Sequence, residues 1–378
     1  MRKFLCLPFF LLIFYHCNNT EDKNNGQNNT ANITSNKYAK GFNIKKLNDD
    51  NYLITISNPW QEVENIHYDY FFSKQKNASH SNSSQIIFPL NRVMCLSTTH
   101  IAFIEKLNAT DKIIGISNPH LAFSEKVRKR FEAGLIADIG FDQSLNFETI
   151  INAKPDLIFI YGVGGENAQF YNKLNELGLN TIFIGEYLEE NPLAKLEWIK
   201  LFGLLFNEEA LANQIFLETE NEYLALLHRI PENENSPTVL FNLPWKGTWF
   251  VPGGNSYLAQ MIKLCKGKYL WEDNNSRSTI PLSVESVIVK GSEAEIWLNP
   301  GNAKTKDDIL LEDSRLESFP PFINGRIYNF NKRINENGGN DYWESGVVNP
   351  HLILKDLIAI LHPDAIPNHE FYYYRQVE

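Results

Sequence analysis

Two glutamates in matching surroundings are the first residues here that could do chemistry. In NFETIINAKPDLIFIYG, Asn146 to Gly162, Glu148 stands two residues after an asparagine at the head of a short apolar helix, ahead of a Pro-Asp corner and a buried strand. LSVESVIVKGSEAEIWLN, Leu282 to Asn299, repeats the arrangement with Ser283 and Glu285. Each glutamate lies eight residues before the acidic member of the next corner, Asp156 or Glu293. Asn and Ser are good N-caps, and a first-turn carboxylate is stabilised by the helix dipole, so helix-start chemistry accounts for either residue taken alone. Catalytic carboxylates of a glycosidase must lie within about 10 Å of each other. Matching outer positions of two separate units do not meet that condition.

Aromatic residues form the second constellation. LPWKGTWFVPGGNSY offers Trp245, Lys246, Trp249, Gly253, Gly254 and Tyr257 just beyond an apolar strand. Two tryptophans in a Gly/Pro loop suit a platform for a large flat or greasy ligand, with a core role for one of them as the alternative. Trp271 follows a helix, and Trp343 lies in GGNDYWESG before the last one. The sequence has no G-x-S-x-G elbow, no H-E-x-x-H helix and no G-x-x-x-x-G-K-[ST] phosphate loop, so the reading is non-enzymatic.

The elements that position these residues alternate between strand and helix. RVMCLS, KIIGIS, PDLIFIYG and NTIFIG read as buried strands, with THIAFIEKLNA, NFETIINA and AQFYNKLNELG as helices between them. TVLFNL, EAEIWLN and GRIYNFN repeat this with SYLAQMIKLCKG, SVESVIVK and VVNPHLILKDLIAILHP. The expected class is α/β: two Rossmann-like lobes, residues 86–188 and 237–365, joined by a single long helical connector over 189–230. PLAKLEWIKLFGLLFNEEALANQIFLETENEYLALLHRI carries that periodicity, and Phe206 to Glu209 is its candidate interruption. Unbroken, it would approach about 55 Å. Residues 38–75 read as a small β module, with Ile66, Tyr68, Tyr70 and Phe72 alternating in one strand.

A chain of 378 residues, 43% hydrophobic, can bury more than one core. Its net charge of −10, with no basic block, argues against nucleic-acid binding. MRKFLCLPFFLLIFYHC combines two basic residues, a short apolar run and a cysteine, so residues 1–16 read as a signal peptide. His16-Cys17 resembles a degenerate lipobox of Bacteroidetes-type lipoproteins. The other reading is a plain secretory signal with an incidental cysteine. The Asn-rich residues 17–37 read as a flexible tether from a lipid-modified Cys17. Cys95 and Cys265 are expected as separate buried thiols, with a disulfide between them as the alternative.

The restart of the strand-helix grammar after one connector resembles the substrate-binding proteins of bacterial ABC importers for iron-siderophores, haem and cobalamin. RVMCLSTTHIAFIEKLNATDKIIGIS, NFETIINAKPDLIFIY and LSVESVIVKGSEAEIWLN carry the likeness, over Pro89 to Pro363. The resemblance implies that Glu148 and Glu285 dock onto arginines of a permease dimer served by a cytoplasmic ATPase. It implies no cofactor and no resident metal, and a transported ligand such as an iron chelate, haem or cobalamin. The expected setting is a periplasm-facing lipoprotein of a Gram-negative envelope, anchored in the inner or outer membrane.

Ligands of open α/β sheets bind beyond the C-terminal strand ends. The ligand-binding candidates are therefore Thr98, Thr99, His100, Tyr161, Tyr187, Trp245, Trp249, Tyr257, Trp271 and Trp343. His100, His120, Tyr161, Tyr187 and Tyr257 are the axial candidates for a haem, and Arg315 and Arg333 the candidate partners of ligand anions. The rival functions are a metal-ion receptor and a surface lipoprotein that acts on glycosides or adheres.

Overall fold

Short apolar runs such as Val93–Cys95 and Leu157–Ile160 are buried along their whole length, which an isolated strand cannot achieve; they need layers on both faces. The computed structural model describes residues 33–34, 36–75, 85–141, 144–162, 167–232 and 236–378, and from residue 32 onward the chain is one unit. The signal peptide, Cys17 and most of the tether expected over 17–37 lie outside the described residues.

The N-terminal module is a five-stranded sheet of β1 (Ile33–Thr34), β2 (Phe42–Lys46), β3 (Asn51–Ser57), β4 (His67–Ser73) and β5 (Gln85–Ile87), in that order. Its pairs are antiparallel except β4 with β5. Tyr70 and Phe72 point into the core, as their alternation requires.

The first lobe comprises β6 (Val93–Cys95), α1 (Thr98–Lys106), β7 (Ile113–Ile116), α2 (Glu125–Glu132), β8 (Ala137–Asp138), α3 (Phe147–Ala153), β9 (Leu157–Ile160), α4 (Asn167–Glu176) and β10 (Thr181–Phe183). Its sheet runs β10-β9-β6-β7-β8, all parallel.

The connector is helical and folded back on itself. It consists of α5 (Pro192–Glu197), α6 (Ile199–Phe206) and α7 (Glu209–Leu227). The interruption expected at Phe206–Glu209 is a turn, with Asn207 in the left-handed region at φ 61°. Gly203 lets α6 and α7 close together, since a Cβ there would lie 2.5 Å from the Cβ of Ala212. The longest straight piece is the 19-residue α7, about 28 Å, half the length of an unbroken rod.

The second lobe holds β11 (Thr238–Phe241), β12 (Pro244–Trp245), β13 (Thr248–Val251), α8 (Tyr257–Leu264), β14 (Lys268–Tyr269), β15 (Ile280–Ser283), α9 (Val284–Gly291), β16 (Ile296–Leu298), α10 (Lys306–Glu312), α11 (Pro320–Ile323), β17 (Ile327–Asn329), α12 (Asp341–Glu344), α13 (Pro350–Leu361) and β18 (Arg375–Gln376). Its main sheet runs β14-β11-β16-β17-β18, parallel except for β18. Leaving aside the two-residue edge strands β8 and β18, each sheet places its first strand between the second and the third, with the fourth beyond the third. The two lobes therefore share a four-strand parallel core and differ in the fifth strand, β8 beside β7 in the first and the antiparallel β18 beside β17 in the second. A smaller antiparallel sheet, β12-β13-β15, is added to the second.

The second lobe runs past residue 365 to the C-terminus. Tyr373 and Tyr374 are fully buried. The buried carboxylate of Asp356 accepts the backbone N–H groups of Tyr372, Tyr373 and Tyr374 and contacts His369 Nε2 at 2.6 Å. Cys95 and Cys265 are separate buried thiols, and burial pushes both up in pKa.

Candidate functional site

In a parallel sheet of this order the crevice opens where connections leave the first strand to opposite sides. In the first lobe that point is the ends of β6 and β9, where Leu96-Ser97-Thr98 and Tyr161-Gly162 follow. In the second it is the ends of β11 and β16, where Asn242 and Asn299 follow. Ser97 caps α1, its Oγ accepting from Thr99 N at 3.3 Å and lying 2.9 Å from Thr99 Oγ1. Thr98 and Thr99 are half-buried beside it. The Tyr187 hydroxyl donates to Gly162 O, tying the end of the lobe to the loop after β9. Tyr161 is half-buried in that loop. A Cβ on Gly162 would come within 2.9 Å of the Trp60 Cβ, so the N-terminal module packs closely against the same loop.

Behind these residues lies a buried charge cluster that the sequence reading did not assemble. The Glu186 carboxyl is raised in pKa by burial, against a Thr99 hydroxyl bond and the charge of Lys195. Burial lowers Lys195 to about 8, against the pull of Glu186 and Glu189. Lys195 Nζ donates to Tyr187 O at 3.2 Å and lies 4.2 Å from the centroid of the Tyr257 ring. A lysine between the buried residues Ala194 and Leu196 of an apolar helix was the available signal.

A pocket of about 520 Å³ lies between the connector and α8. Glu190 to Leu193 and Tyr223, Leu224 and Leu227 line it from the connector side, Tyr257, Gln260, Met261, Leu264, Asn255 and Arg277 from the second lobe, and Tyr38 from the N-terminal segment. Of the predicted ligand residues, Tyr257 alone is in its wall. Arg277 Nη2 pairs with Glu190 Oε1 at 2.5 Å across it. Nothing in the Asn/Ser-rich loop around Arg277 singles that residue out in the sequence.

Two predicted ligand residues belong to the core. Trp249 is fully buried against Trp297 and Phe319, its Nε1 donating to Phe241 O at 2.9 Å. The reason is a tight hairpin: Lys246 and Gly247 both have positive φ, 50° and 79°, as a two-residue hairpin turn requires. Trp245 pairs with Thr248 on the outer face, while Trp249 pairs with Pro244 on the inner one. Trp245 is 62% exposed at the hairpin tip. His100 is also fully buried, in α1 against the Phe159 ring, and desolvation lowers it to about 3, so it is a neutral core histidine. Trp271 is half-buried beside Tyr269 and Lys290, and Trp343 is exposed against Phe330 and Tyr342. His120 is exposed, its ring against Phe131.

The predicted arginines are engaged elsewhere. Arg333 Nε bonds Asp341 Oδ2 at 2.6 Å and its guanidinium covers the Phe123 and Tyr372 rings. Arg315 binds Asp313 through Nε and Nη2 and lies 3.6 Å from Glu285. Glu148 and Glu285 are both exposed in first helical turns, capped by Asn146 and Ser283 in the same way.

The lobes also meet through residues 331–349. The buried Glu344 carboxylate accepts Phe123 N at 2.6 Å and Ser124 N at 2.7 Å, and Asn335 Nδ2 donates to His120 O and Ala122 O. Desolvation, with Asp341 and Glu105 nearby, pushes Glu344 up to about 8 against those two N–H bonds.

A model of the periplasmic binding protein family matches residues 93–334, which contain both sheets' first strands, the connector and the strand-end loops. The chain belongs to that family. The fold of this periplasmic binding protein is accordingly the expected one, two α/β lobes with a helical connector and an added β module. An uncharacterized lipoprotein of Methanocaldococcus jannaschii is 28% identical over 302 residues, 78% of this chain and 70% of that one. A second from the same organism is 26% identical over 356 residues, 90% of this chain and 86% of that one.

Among solved structures, the periplasmic haem-binding protein RhuT of Roseiflexus sp. RS-1 matches with a TM-score of 0.57 at 19% identity, covering 73% of this chain and 99% of that one. HutB of Vibrio cholerae, a periplasmic haem-binding protein, gives 0.56 at 17%, covering 72% and 99%. Identities this low establish the shared fold. The family is one of solute-binding proteins, not of enzymes.

Proposed function

We propose that this protein is the extracytoplasmic substrate-binding component of an ABC importer, holding a large chelate such as an iron-siderophore, haem or cobalamin between its lobes. The supporting observation is the pairing of two parallel sheets with the same four-strand core within the residues that the family model matches. Solved structures of the same fold include haem-binding proteins and an ABC transporter substrate-binding protein. Glu148 and Glu285, one on each lobe, are the contacts for permease arginines, because bidentate Arg-carboxylate pairs orient as well as attract.

The relatives named as lipoproteins support an extracytoplasmic lipoprotein anchored through Cys17. They come from an archaeon and not from a Gram-negative bacterium, so the Gram-negative setting is not carried further. Native mass spectrometry and absorbance scanning after incubation with cobalamin, haem and ferric siderophores test the function. A one-to-one complex with one of them is expected, and failure to bind any would remove the reading.

A further inference from the structure

We propose that the pocket at the connector takes an aromatic group bearing a carboxylate or another planar anion, with Arg277 as its counter-ion and Tyr38, Tyr223 and Tyr257 as its walls. This rests on the reading that the protein binds a solute, and it names the chemistry that the pocket of the connector and second lobe recognises.

Arg277 carries the argument. Its side chain is 75% exposed, that of Glu190 is 56% exposed, and among the described residues the guanidinium has no other partner. An ion pair so open to water is weak and readily exchanged. Nη2, the atom in contact, belongs to both two-pronged edges of the guanidinium, Nε with Nη2 and Nη1 with Nη2, so a planar anion gripped by either edge takes the place of Glu190. A ligand carboxylate can therefore take Arg277 while Glu190 turns to solvent.

The walls specify the rest of the ligand. Three tyrosines from three separate parts of the chain line the pocket with Leu224, Met261 and Leu264, a surface for a flat apolar body. Tyr38 comes from outside residues 93–334, the stretch that the family shares. It is held in place: its hydroxyl bonds Glu220, and Glu197 accepts the N–H groups of Lys37, Tyr38 and Ala39 at 2.9, 2.7 and 2.9 Å. Selectivity at this pocket thus comes in part from an arm that the family match does not include.

Fluorescence titration of the full chain with anilinonaphthalene sulfonate, aromatic and anionic, and with uncharged phenylnaphthylamine tests this. One saturable site per chain is expected for the anion. Arg277→Gln should weaken it roughly ten-fold or more, leaving the uncharged probe within about two-fold. Glu190→Gln should tighten the anion, and Tyr38→Ala should weaken both probes. Anion affinity unchanged in Arg277→Gln, or equal loss of both probes there, overturns the proposal. Haem and cobalamin titrated alongside separate the two failures. A chain that captures a chelate without an Arg277-dependent anion site refutes this inference alone, and one that binds the anion through Arg277 but no chelate refutes the importer reading.

Discussion

Lys195 Nζ lies 4.2 Å from the centroid of the Tyr257 ring, so a cation of the connector rests on an aromatic of the second lobe. Glu186, buried on the first-lobe side, acts on the same ammonium. One side chain thereby joins all three parts of the molecule.

Removing that cation should be felt through its partner. Lys195→Met leaves Glu186 buried without its nearby positive charge and should cost about 1–3 kcal/mol. Adding Glu186→Gln should recover most of the loss. Urea denaturation of the two single variants and the double variant measures the coupling, and strictly additive losses would show that the two groups do not interact.

Glu344 should make stability depend on pH. Its folded pKa of about 8 lies above the ordinary 4.5, so it favours the fold most below about pH 4.5, and that contribution disappears as pH rises through about 8. Glu344→Gln removes the titration and keeps an acceptor for one of the two N–H groups, with its amide NH2 facing the other, a cost that does not vary with pH. The variant should therefore gain on the wild type by up to a few kcal/mol between pH 5 and 9. Parallel denaturation curves across that range check the sign, and a constant difference would refute it.

The N-terminal arm should behave as part of the fold. Glu197→Ala strips acceptors from three consecutive backbone N–H groups and a partner from Lys200. A loss of about 3–5 kcal/mol is expected, read as a lowered urea midpoint. A change below about 1 kcal/mol would mean that the arm is dispensable.

The two tryptophans of the hairpin should separate cleanly. Trp249→Ala opens a cavity in the core and should cost about 3–5 kcal/mol. Trp245→Ala, at an exposed tip, should stay within about 0.5 kcal/mol. Thermal unfolding distinguishes them, and similar losses would contradict the hairpin geometry.

For docking, Glu148→Ala with Glu285→Ala should weaken association with permease in proteoliposomes while leaving chelate affinity within about two-fold. Each substitution should change stability by less than about 1 kcal/mol, the worth of a first-turn charge. Parallel loss of ligand and permease binding would remove the docking role.

Much of the architecture was legible because the apolar runs alternate with helical ones on a regular beat. RVMCLS, PDLIFIYG, TVLFNL and EAEIWLN are all strands, and NFETIINA and SVESVIVK are both helices with the expected caps. The candidate site was less legible. His100 and Trp249 looked available because each follows a strand, and each is buried because its own element turns that side chain inward. Tyr38, Arg277 and Lys195 are separated by scores of residues and have no common period, so no local pattern could join them.

Periodicity and capping are properties of neighbouring residues. Sequence by itself therefore determined the alternation of strands and helices, the repeat of one lobe in the other, the place of the connector's break and the exposed ends where Glu148 and Glu285 stand. The pocket, the Lys195–Tyr257 contact, the pairing of Glu190 with Arg277 and the burial of the tyrosine-rich tail were decided only by tertiary structure. Those contacts arise when the connector folds back at Asn207 and the lobes meet. Which charges and rings then face each other depends on long-range packing that no stretch of the chain encodes alone.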